Sequence, residues 1–370
     1  MLCRNNYHVV GNGRIRSLGT AAEAAQAMAD GSVRAVVGAI PFDVRERAAL
    51  TAPETLEVHD GPWRPAPVTG APRIRIDAME PSLEAHRRRV ADAVATLAAS
   101  AGGLQKVVLA RSVLLRAEEP LAAWDLASAL RSADPRGSLF VTDLSPAGRA
   151  AALVGASPEV LVRKVGTRVS AQPLAGSAPR STDAAVDRAR GRALAASAKD
   201  LAEHRYVVAA IADALAPLCH RLDVPDRPEL MTTPAMWHLG TPISGELRSH
   251  DLSALDVALA VHPTPAICGT PTVRARDHIL ATEGDRGFYS GAVGWARSGR
   301  DGGDGEWMVA IRCAEVSDDG LTARAWAGGG IVADSDPDAE LVETQAKLAT
   351  VLRALGVDPA ADPTTDLSPT

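Results

Sequence analysis

The sequence has few aromatic residues and few cysteines. The first scarcity limits what can form the core, and the second argues against particular kinds of site. Aromatic residues make up 3% of the 370-residue chain, so its core must be built from Ala, Val, Leu and Ile. The four cysteines, Cys3, Cys219, Cys268 and Cys313, form no C-x-x-C pair. This scatter argues against a zinc site or a disulfide framework and suits a reducing cytoplasm.

Long apolar runs and blocks of positive charge are also missing. No apolar run reaches about 18 residues and the first residues contain no apolar signal segment, so we expect a cytoplasmic protein without membrane contact. The net charge is −6 and no basic and aromatic stripe occurs, which argues against nucleic acid as a partner. Nothing in the sequence demands a partner chain, so a monomer is expected. The remaining composition, 46% apolar and 23% charged, is typical of a globular protein with a large core.

Short apolar runs predict strands that are arranged in hairpins and meanders. Branched residues over 105–117 predict a buried strand. Three late strands are predicted at 287–297, 306–316 and 321–333. Because strands and helices do not alternate strictly, we predict an α+β fold with large antiparallel sheets and helices outside. The chain should form one domain over residues 1–356, followed by a disordered tail at 357–370.

The most informative segment runs from residue 327 to residue 347. Three glycines, Gly328 to Gly330, precede a short apolar strand at 331–333. Asp336 and Pro337 then supply an N-cap and a first-turn proline, which predict the start of a helix. A glycine run lets the backbone approach a bound anion closely.

That helix carries two acids and a lysine on one face. Glu340, Glu343 and Lys347 are spaced three and four residues apart. Paired acids one turn into a helix suit a hard divalent cation, so the segment predicts a small-anion site beside a metal site. The alternative is a glycine turn followed by a helix with a solvated acidic face.

A second acidic pair lies on another predicted helix. Asp200 and Glu203 are three residues apart and lie largely off its apolar stripe. Alone they would be a solvated face. Placed opposite Glu340 and Glu343, however, the four carboxylates would repel strongly unless a cation neutralised them. Oxygen ligands without His or Cys favour Mg²⁺.

Lys106 is a candidate base and Glu159 is a candidate acid, and both have apolar neighbours in the sequence. Lys106 opens the strand at 105–117 and is either a lysine that snorkels at a sheet edge or a general base. As a base it would need a pKa well below its usual value of about 10.4. Glu159 follows Ser157 and Pro158 at a strand corner. It is either an exposed turn acid or an acid whose pKa is raised by apolar neighbours.

Four further residues are candidates for holding a ligand. Gly176 and Ser177 offer backbone N–H groups and a hydroxyl for a carboxylate. Arg312 lies in the middle of the strand predicted at 306–316, where a buried arginine requires an anionic ligand or a protein acid. His238 is either a core histidine or a site residue.

Taken together, these segments resemble the chorismate-utilising enzymes, which include anthranilate, aminodeoxychorismate, salicylate and isochorismate synthases. The match is closest to isochorismate synthases and follows the family order over about residues 36–355. It rests on GAIPFD (38–43), KVVLAR (106–111), LVGASPEVLV (153–162), PLAGSAPR (173–180), KDLAEH (199–204), HPTPAICG (262–269), FYSGAVGW (288–295), VAIRCAEV (309–316), AGGGIV (327–332) and ELVETQAKL (340–348). The resemblance implies a single α+β domain with two antiparallel sheets and an active site in the cleft between them.

The resemblance also implies ligands for both a metal and a substrate. Glu203 and Glu343 would bind Mg²⁺ directly, and Asp200 and Glu340 would support it through water. The metal would hold the ring carboxylate of chorismate, and Arg312 would pair with the enolpyruvyl carboxylate. The positions that match substrate-contacting residues of the family are Gly176, Ser177, His238, Ala266, Arg312, Gly328 and Lys347.

By the same resemblance, Lys106 would take a proton from a water that attacks C2, and Glu159 would protonate the departing C4 hydroxyl. Ammonia-using relatives resemble this pattern with Gln at the lysine position, so no glutaminase partner is expected. Salicylate synthases resemble it with Thr in place of Ala266 and of Ser177. The expected product is therefore isochorismate, for menaquinone or siderophore synthesis. Salicylate formation and a non-catalytic chorismate-binding protein are the alternatives.

Overall fold

The computed structural model describes residues 1–65, 72–99, 103–299 and 303–359. Most of the tail predicted at 357–370 lies outside these residues. The strands are β1 (Leu2–Cys3), β2 (Tyr7–Asn12), β3 (Arg16–Leu18), β4 (Ala35–Ile40), β5 (Ala49–Ala52), β6 (Thr55–Asp60), β7 (Ile74–Glu80), β8 (Lys106–Ala117), β9 (Leu139–Asp143), β10 (Ala151–Gly155), β11 (Val160–Val165), β12 (Arg168–Gln172), β13 (Leu174–Pro179), β14 (Cys219–Asp223), β15 (Glu229–Thr232), β16 (Met236–Gly240), β17 (Ile243–Leu247), β18 (Gly269–Thr270), β19 (Ala292–Arg297), β20 (Asp304–Val309), β21 (Cys313–Ser317) and β22 (Thr322–Ile331). The helices are α1 (Ala21–Ala29), α2 (Leu83–Ala99), α3 (Ala123–Ala133), α4 (Ala184–Ala196), α5 (Ala198–Leu215), α6 (Ala254–Val261), α7 (Thr272–Glu283) and α8 (Pro337–Ala354), with a short 3₁₀ turn at Ser145–Ala147.

Within the described residues the strands form three antiparallel sheets. The first has ten strands in the order β18-β8-β22-β21-β10-β9-β1-β2-β6, and β7 also pairs with β8. The second has nine strands in the order β14-β17-β12-β11-β20-β19-β4-β5-β3. A third sheet, β13-β16-β15, is small. The predicted α+β fold with two large antiparallel sheets is confirmed, and the small sheet adds to it.

The strands β8 and β22 form the longest ladder and lie in the interior of the first sheet. Ten residue pairs join them, from Thr322 opposite Arg116 to Ile331 opposite Val107. Nearly every residue of β8 is buried, because α2 and α7 pack against it, which explains the consecutive apolar residues at 107–110 and 113–115. In β22 buried positions alternate with half-buried ones, as expected for a strand with one face on the core.

The helix α8 covers the first sheet and begins where the sequence predicts. The Asp336 carboxylate accepts a hydrogen bond from the Ala339 backbone N–H at 2.8 Å, and Pro337 occupies the first turn. Leu348, Val351 and Leu352 pack into the core beside β22. Val357 is also buried, so packed structure extends past Gly356. No helix in the described part of the chain is long and apolar enough to span a membrane.

Three predicted strands differ from the structure. The one predicted at 287–297 begins only at Ala292, as β19. The strand predicted at 306–316 is two strands, because β20 belongs to the second sheet and β21 to the first. Arg312 therefore lies not in the middle of a strand but at the crossing between sheets, with a positive φ of 51°. The strand predicted at 321–333 ends at Ile331, so the glycines lie inside β22 and not before a separate strand at 331–333.

The packing of α8 predicts the outcome of a matched pair of substitutions. Val351 is 1% exposed and Val342, on the same helix, is 63% exposed. Val351→Ala should lower the free energy of unfolding by about 2 kcal/mol, since each buried CH₂ group contributes about 0.8 kcal/mol and a cavity remains. Val342→Ala should change it by less than about 0.5 kcal/mol. Urea titrations of both variants measure the difference, and equal effects would contradict this placement of α8.

Candidate active site

A cavity of about 700 Å³, part of it open to solvent, is lined by strands of the first and third sheets and by residues that flank strands of the second. Ten residues singled out from the sequence line it, namely Glu159, Gly176, Ser177, Glu203, His238, Ala266, Arg312, Gly328, Glu343 and Lys347. Lys106, Asp200 and Glu340 are not part of the wall and lie next to residues that are. The structure thus brings together segments that are far apart in the chain.

Two of the three glycines of β22, Gly329 and Gly330, provide room for charged side chains. A Cβ atom on Gly330 would lie 2.2 Å from Glu203 Oε1 and 3.0 Å from Lys106 Cε. On Gly329 it would lie 2.9 Å from Glu340 Oε2. Any side chain at these positions would therefore displace the carboxylates. The glycine turn considered from the sequence is not present, because the glycines are ordinary members of a strand.

Lys106 is fully buried and does not snorkel at a sheet edge. Its Nζ lies 2.9 Å from Glu203 Oε1, which joins β8 to α5. Glu203 lines the cavity, so Lys106 reaches the cavity through this contact. A buried ammonium without a carboxylate partner would be strongly destabilising, and Glu203 therefore fixes the position of the lysine head group.

On α8 the predicted acid and lysine form a close pair at the cavity wall. Glu343 Oε1 lies 2.7 Å from Lys347 Nζ and accepts a hydrogen bond from Ser177 Oγ at 2.8 Å. Lys347 also donates to the Gly328 carbonyl at 2.9 Å. Burial alone would raise the pKa of Glu343, but Lys347 and Ser177 outweigh it and lower the pKa. These contacts tie α8 to β13 and β22.

Glu340 is more deeply buried than Glu343. The alternative of a solvated acidic face is therefore wrong for this residue. The residue is 1% exposed, and its Oε1 receives hydrogen bonds from Lys199 at 2.9 Å and from Ser335 at 2.8 Å. Its second oxygen, Oε2, is buried without a hydrogen-bond partner among the described residues. Burial and the nearby Glu343 raise the pKa of Glu340. Lys199 was not singled out from the sequence, although it directly precedes Asp200.

The fourth acid, Asp200, is half-buried on α5. Burial and the charges of Glu203 and Glu343 raise its pKa. The contact of Lys199 with Glu340 at 2.9 Å places this part of α5 beside the acids of α8. Within the described residues, no three His, Cys, Asp or Glu side chains are close enough together to hold a metal ion, because lysines lie between the acids. The donor set nevertheless fits a hard cation in chemistry, since it offers carboxylate oxygens and one of them, Glu340 Oε2, is unpaired.

Glu159 is buried at the cavity wall and is not an exposed turn acid. Burial raises its pKa to about 8, although the Leu174 backbone N–H, Lys106 and Lys347 partly oppose that rise. The carboxyl group is therefore largely protonated at neutral pH. A protonated carboxyl group beside a cavity can serve as a general acid.

Arg312 is a buried cation without a carboxylate partner in the described part of the structure. Its guanidinium donates to Thr350 Oγ1 at 3.3 Å, and burial lowers its pKa to about 10. It lines the cavity. A guanidinium in this position is suited to an anionic ligand, since a carboxylate would supply the missing charge.

His238 and two aromatic residues complete the walls. His238 is buried on β16 opposite Ser177, and burial together with Arg312 lowers its pKa to about 3, so it is neutral. Tyr289 and Trp326 stack with ring centroids 5.7 Å apart, and both line the cavity. The sequence interpretation missed these two, although aromatic residues beside glycine segments are conspicuous in a chain that has so few.

With this geometry established, comparisons with known proteins identify the family. The family model described as "Chorismate binding enzyme" matches residues 63–356, which is most of the chain. The chain belongs to the chorismate-binding enzymes. The family membership inferred from the sequence motifs is therefore confirmed.

Individual relatives match over nearly the full length. The MenF protein of Mycobacterium tuberculosis is 49% identical over 337 residues, which are 90% of this chain and 89% of that protein. Isochorismate synthase DhbC of Bacillus subtilis is 44% identical over 87% of this chain and 81% of its own length. The crystal structure of DhbC from Bacillus anthracis superposes with a TM-score of 0.86 at 36% identity, and covers 96% of this chain and 95% of that one.

The raised pKa of Glu159 predicts a pH-dependent contribution to stability. Between about pH 4.5 and pH 8 the unfolded chain loses this proton while the folded chain keeps it, so the contribution of Glu159 is lost as pH rises through that window. The stability of the native protein relative to Glu159→Gln should fall by on the order of 1 kcal/mol per pH unit there. Denaturant titrations at several pH values test this. Exposed Glu229→Gln is the control, and a pH-independent difference for Glu159→Gln would refute the assignment.

Proposed function

We propose that this chain converts chorismate into isochorismate, with a water as the nucleophile at C2 and loss of the C4 hydroxyl. The observation that carries the proposal is a buried lysine, Lys106, placed behind Glu203 at a cavity that also holds the protonated Glu159. Relatives that bear the name isochorismate synthase support it, among them DhbC of Bacillus subtilis.

The substrate carries two carboxylates, and the cavity offers cations for both ends. Arg312 has no acid partner in the described structure and would pair with the enolpyruvyl carboxylate. Lys347 lines the same cavity, where it pairs with Glu343 and donates a hydrogen bond to the Gly328 carbonyl. His238 is neutral and can donate or accept one hydrogen bond without adding charge. Together these groups fix the orientation of the ring.

The two proton transfers are assigned to Lys106 and Glu159, whose surroundings differ. Lys106 would accept a proton from the water that attacks C2, which requires its neutral amine form. The ammonium that pairs with Glu203 must therefore first release a proton to solvent through the cavity. Glu159 would donate its proton to the hydroxyl that leaves C4, since its raised pKa keeps the proton available at neutral pH. The double bonds of the ring shift as the C4 oxygen departs. The hydroxyl of the attacking water is added at C2, and the C4 hydroxyl leaves as water with the proton of Glu159. One water is consumed and one is released, so the reaction is an isomerisation.

A divalent cation, Mg²⁺, is part of the proposal. Glu203 and Glu343 would hold it directly, with Asp200 and Glu340 supporting it through water. When bound, it would supply positive charge for the ring carboxylate of chorismate. One oxygen of each glutamate, Oε1, contacts Lys106 or Lys347. The two lysines would therefore share these carboxylates with the cation.

The identity of two cavity residues favours release of isochorismate as the product. Ser177 and Ala266 both line the cavity, at the positions where the resemblance places Thr in salicylate synthases. The lysine at 106, in place of glutamine, favours water over ammonia. No glutaminase partner is therefore part of the proposal.

Product analysis with purified protein, chorismate and Mg²⁺ tests this function. Isochorismate should accumulate with little salicylate or pyruvate. Lys106→Ala and Glu159→Gln should each reduce kcat by about 10²- to 10⁴-fold, as expected for loss of a general base or acid. Exposed Glu229→Gln is the control. Stoichiometric pyruvate release would indicate a salicylate synthase, and intact recovery of chorismate that stabilises the protein would indicate a binding protein without turnover.

Metal binding is testable apart from turnover. Isothermal titration calorimetry should show that Glu343→Gln weakens Mg²⁺ binding by about tenfold or more, because a charged ligand is lost. Asp338→Asn removes the same charge from an exposed position on the same helix, where Asp338 pairs with Arg87 at 2.6 Å, and should leave the affinity unchanged. Equal Mg²⁺ affinity in native protein and Glu343→Gln would remove Glu343 from the metal site.

A further inference from the structure

A second, larger cavity opens beside the active-site cavity. It encloses about 1760 Å³, part of it open solvent, and we refer to it as the outer cavity. The two cavities share four wall residues, Pro158, Leu174, His238 and Arg312. Arg312 therefore lies at the boundary, with one cavity on either side.

The outer cavity is rich in positive charge. Besides Arg312, its walls carry Arg136, Arg180 and Arg353, against one acid, Asp134. The Asp134 carboxylate accepts a hydrogen bond from the Arg136 backbone N–H at 3.1 Å, so it is engaged within its own loop. Arg180 is neutralised by Asp187 at 2.8 Å.

The two remaining arginines are unpaired. Arg136 and Arg353 are exposed, and neither makes an ion pair or a side-chain hydrogen bond with the residues that the structure describes. Two unpaired guanidinium groups at the rim of one cavity create a positive potential there, and low-dielectric walls concentrate it. The chain as a whole has a net charge of −6, which would repel a dianion at long range.

One face of α8 connects the two cavities. Lys347 lines the active-site cavity, whereas Thr350 and Arg353 line the outer one. These positions are spaced three residues apart, so they follow one another along the same side of the helix. Thr350 Oγ1 accepts a hydrogen bond from Arg312 at 3.3 Å. A row of polar and cationic groups thus runs from the rim to the active-site cavity.

We propose that the outer cavity is the antechamber through which the substrate reaches the active site, and that Arg136 and Arg353 capture a small dicarboxylate anion there before it passes Arg312. This inference rests on the proposed function, since it takes chorismate as the dianion. The arginines act on association and not on the chemical steps, because they lie outside the active-site cavity.

Association kinetics of the full chain test this proposal. Stopped-flow mixing with chorismate can be followed by tryptophan fluorescence, because Trp326 lines the active-site cavity. At an ionic strength of about 10 mM, Arg136→Gln and Arg353→Gln should each lower the association rate constant severalfold, and the double variant by about tenfold. At about 500 mM the deficit should largely disappear, since charges are then screened within a few ångströms. The dissociation rate constant and kcat should stay within about twofold.

Two further variants show whether positive charge at the rim is what speeds association. Arg353→Lys should restore most of the association rate, since the proposal requires charge and not the shape of the guanidinium. Arg274→Gln changes the net charge equally at an exposed position on α7 that lines neither cavity, and should leave the rate unchanged.

The outcomes distinguish this inference from the proposed function. A double variant with the native association rate at low ionic strength, or an equal loss in Arg274→Gln, would overturn the antechamber even if isochorismate is formed. Rapid binding that depends on Arg136 and Arg353 without any product would support the antechamber and refute the proposed reaction. A native protein that does not bind chorismate at all would overturn both.

Discussion

The packing of β8, α5 and α8 depends on buried charges that are neutralised by residues from distant parts of the chain. Lys106 on β8 pairs with Glu203 on α5, and Lys199 on α5 pairs with Glu340 on α8. A buried charge is strongly destabilising when its partner is missing, so these elements can pack only in the arrangement that brings both pairs together. Gly330 makes this possible, since any side chain there would occupy the space of the Glu203 carboxylate. The contacts that form the site therefore also determine how β8, α5 and α8 pack together.

The same burial divides the cavity into parts with different chemistry. Acids from α5 and α8 collect on one side, where burial and, to a smaller extent, the charges of neighbouring acids raise the pKa values of Asp200 and Glu340. Arg312 stands elsewhere on the wall without an acid partner in the described structure. Burial of Glu159 favours its neutral form. The proposed roles of cation binding, carboxylate binding and proton donation thus fall to groups with different environments in one cavity.

Several parts of the fold and of the site could be predicted from the sequence, since local residue patterns determine local structure. The Asp336 cap, the branched strand that begins near Lys106 and the i, i+4 pair of Glu343 and Lys347 are each set by neighbouring residues, and the structure contains all three. The strand predicted at 306–316 was wrong, because an apolar run does not show where a chain crosses from one sheet to another. The small sheet was missed, since β13 is interrupted at Gly176 and has no alternating pattern. The role of Lys199 depends on a contact with α8, which no local pattern contains.

In the proposed function, the acids of α5 and α8 and the cation at Arg312 serve one ligand in one cavity. A crystal structure of the protein with chorismate and Mg²⁺ is the decisive measurement. We expect chorismate in the active-site cavity with one carboxylate on Arg312, and the metal between Glu203 and Glu343. Chorismate bound away from Arg312, or Mg²⁺ bound to neither glutamate while Lys106 and Lys347 keep their present contacts, would contradict it.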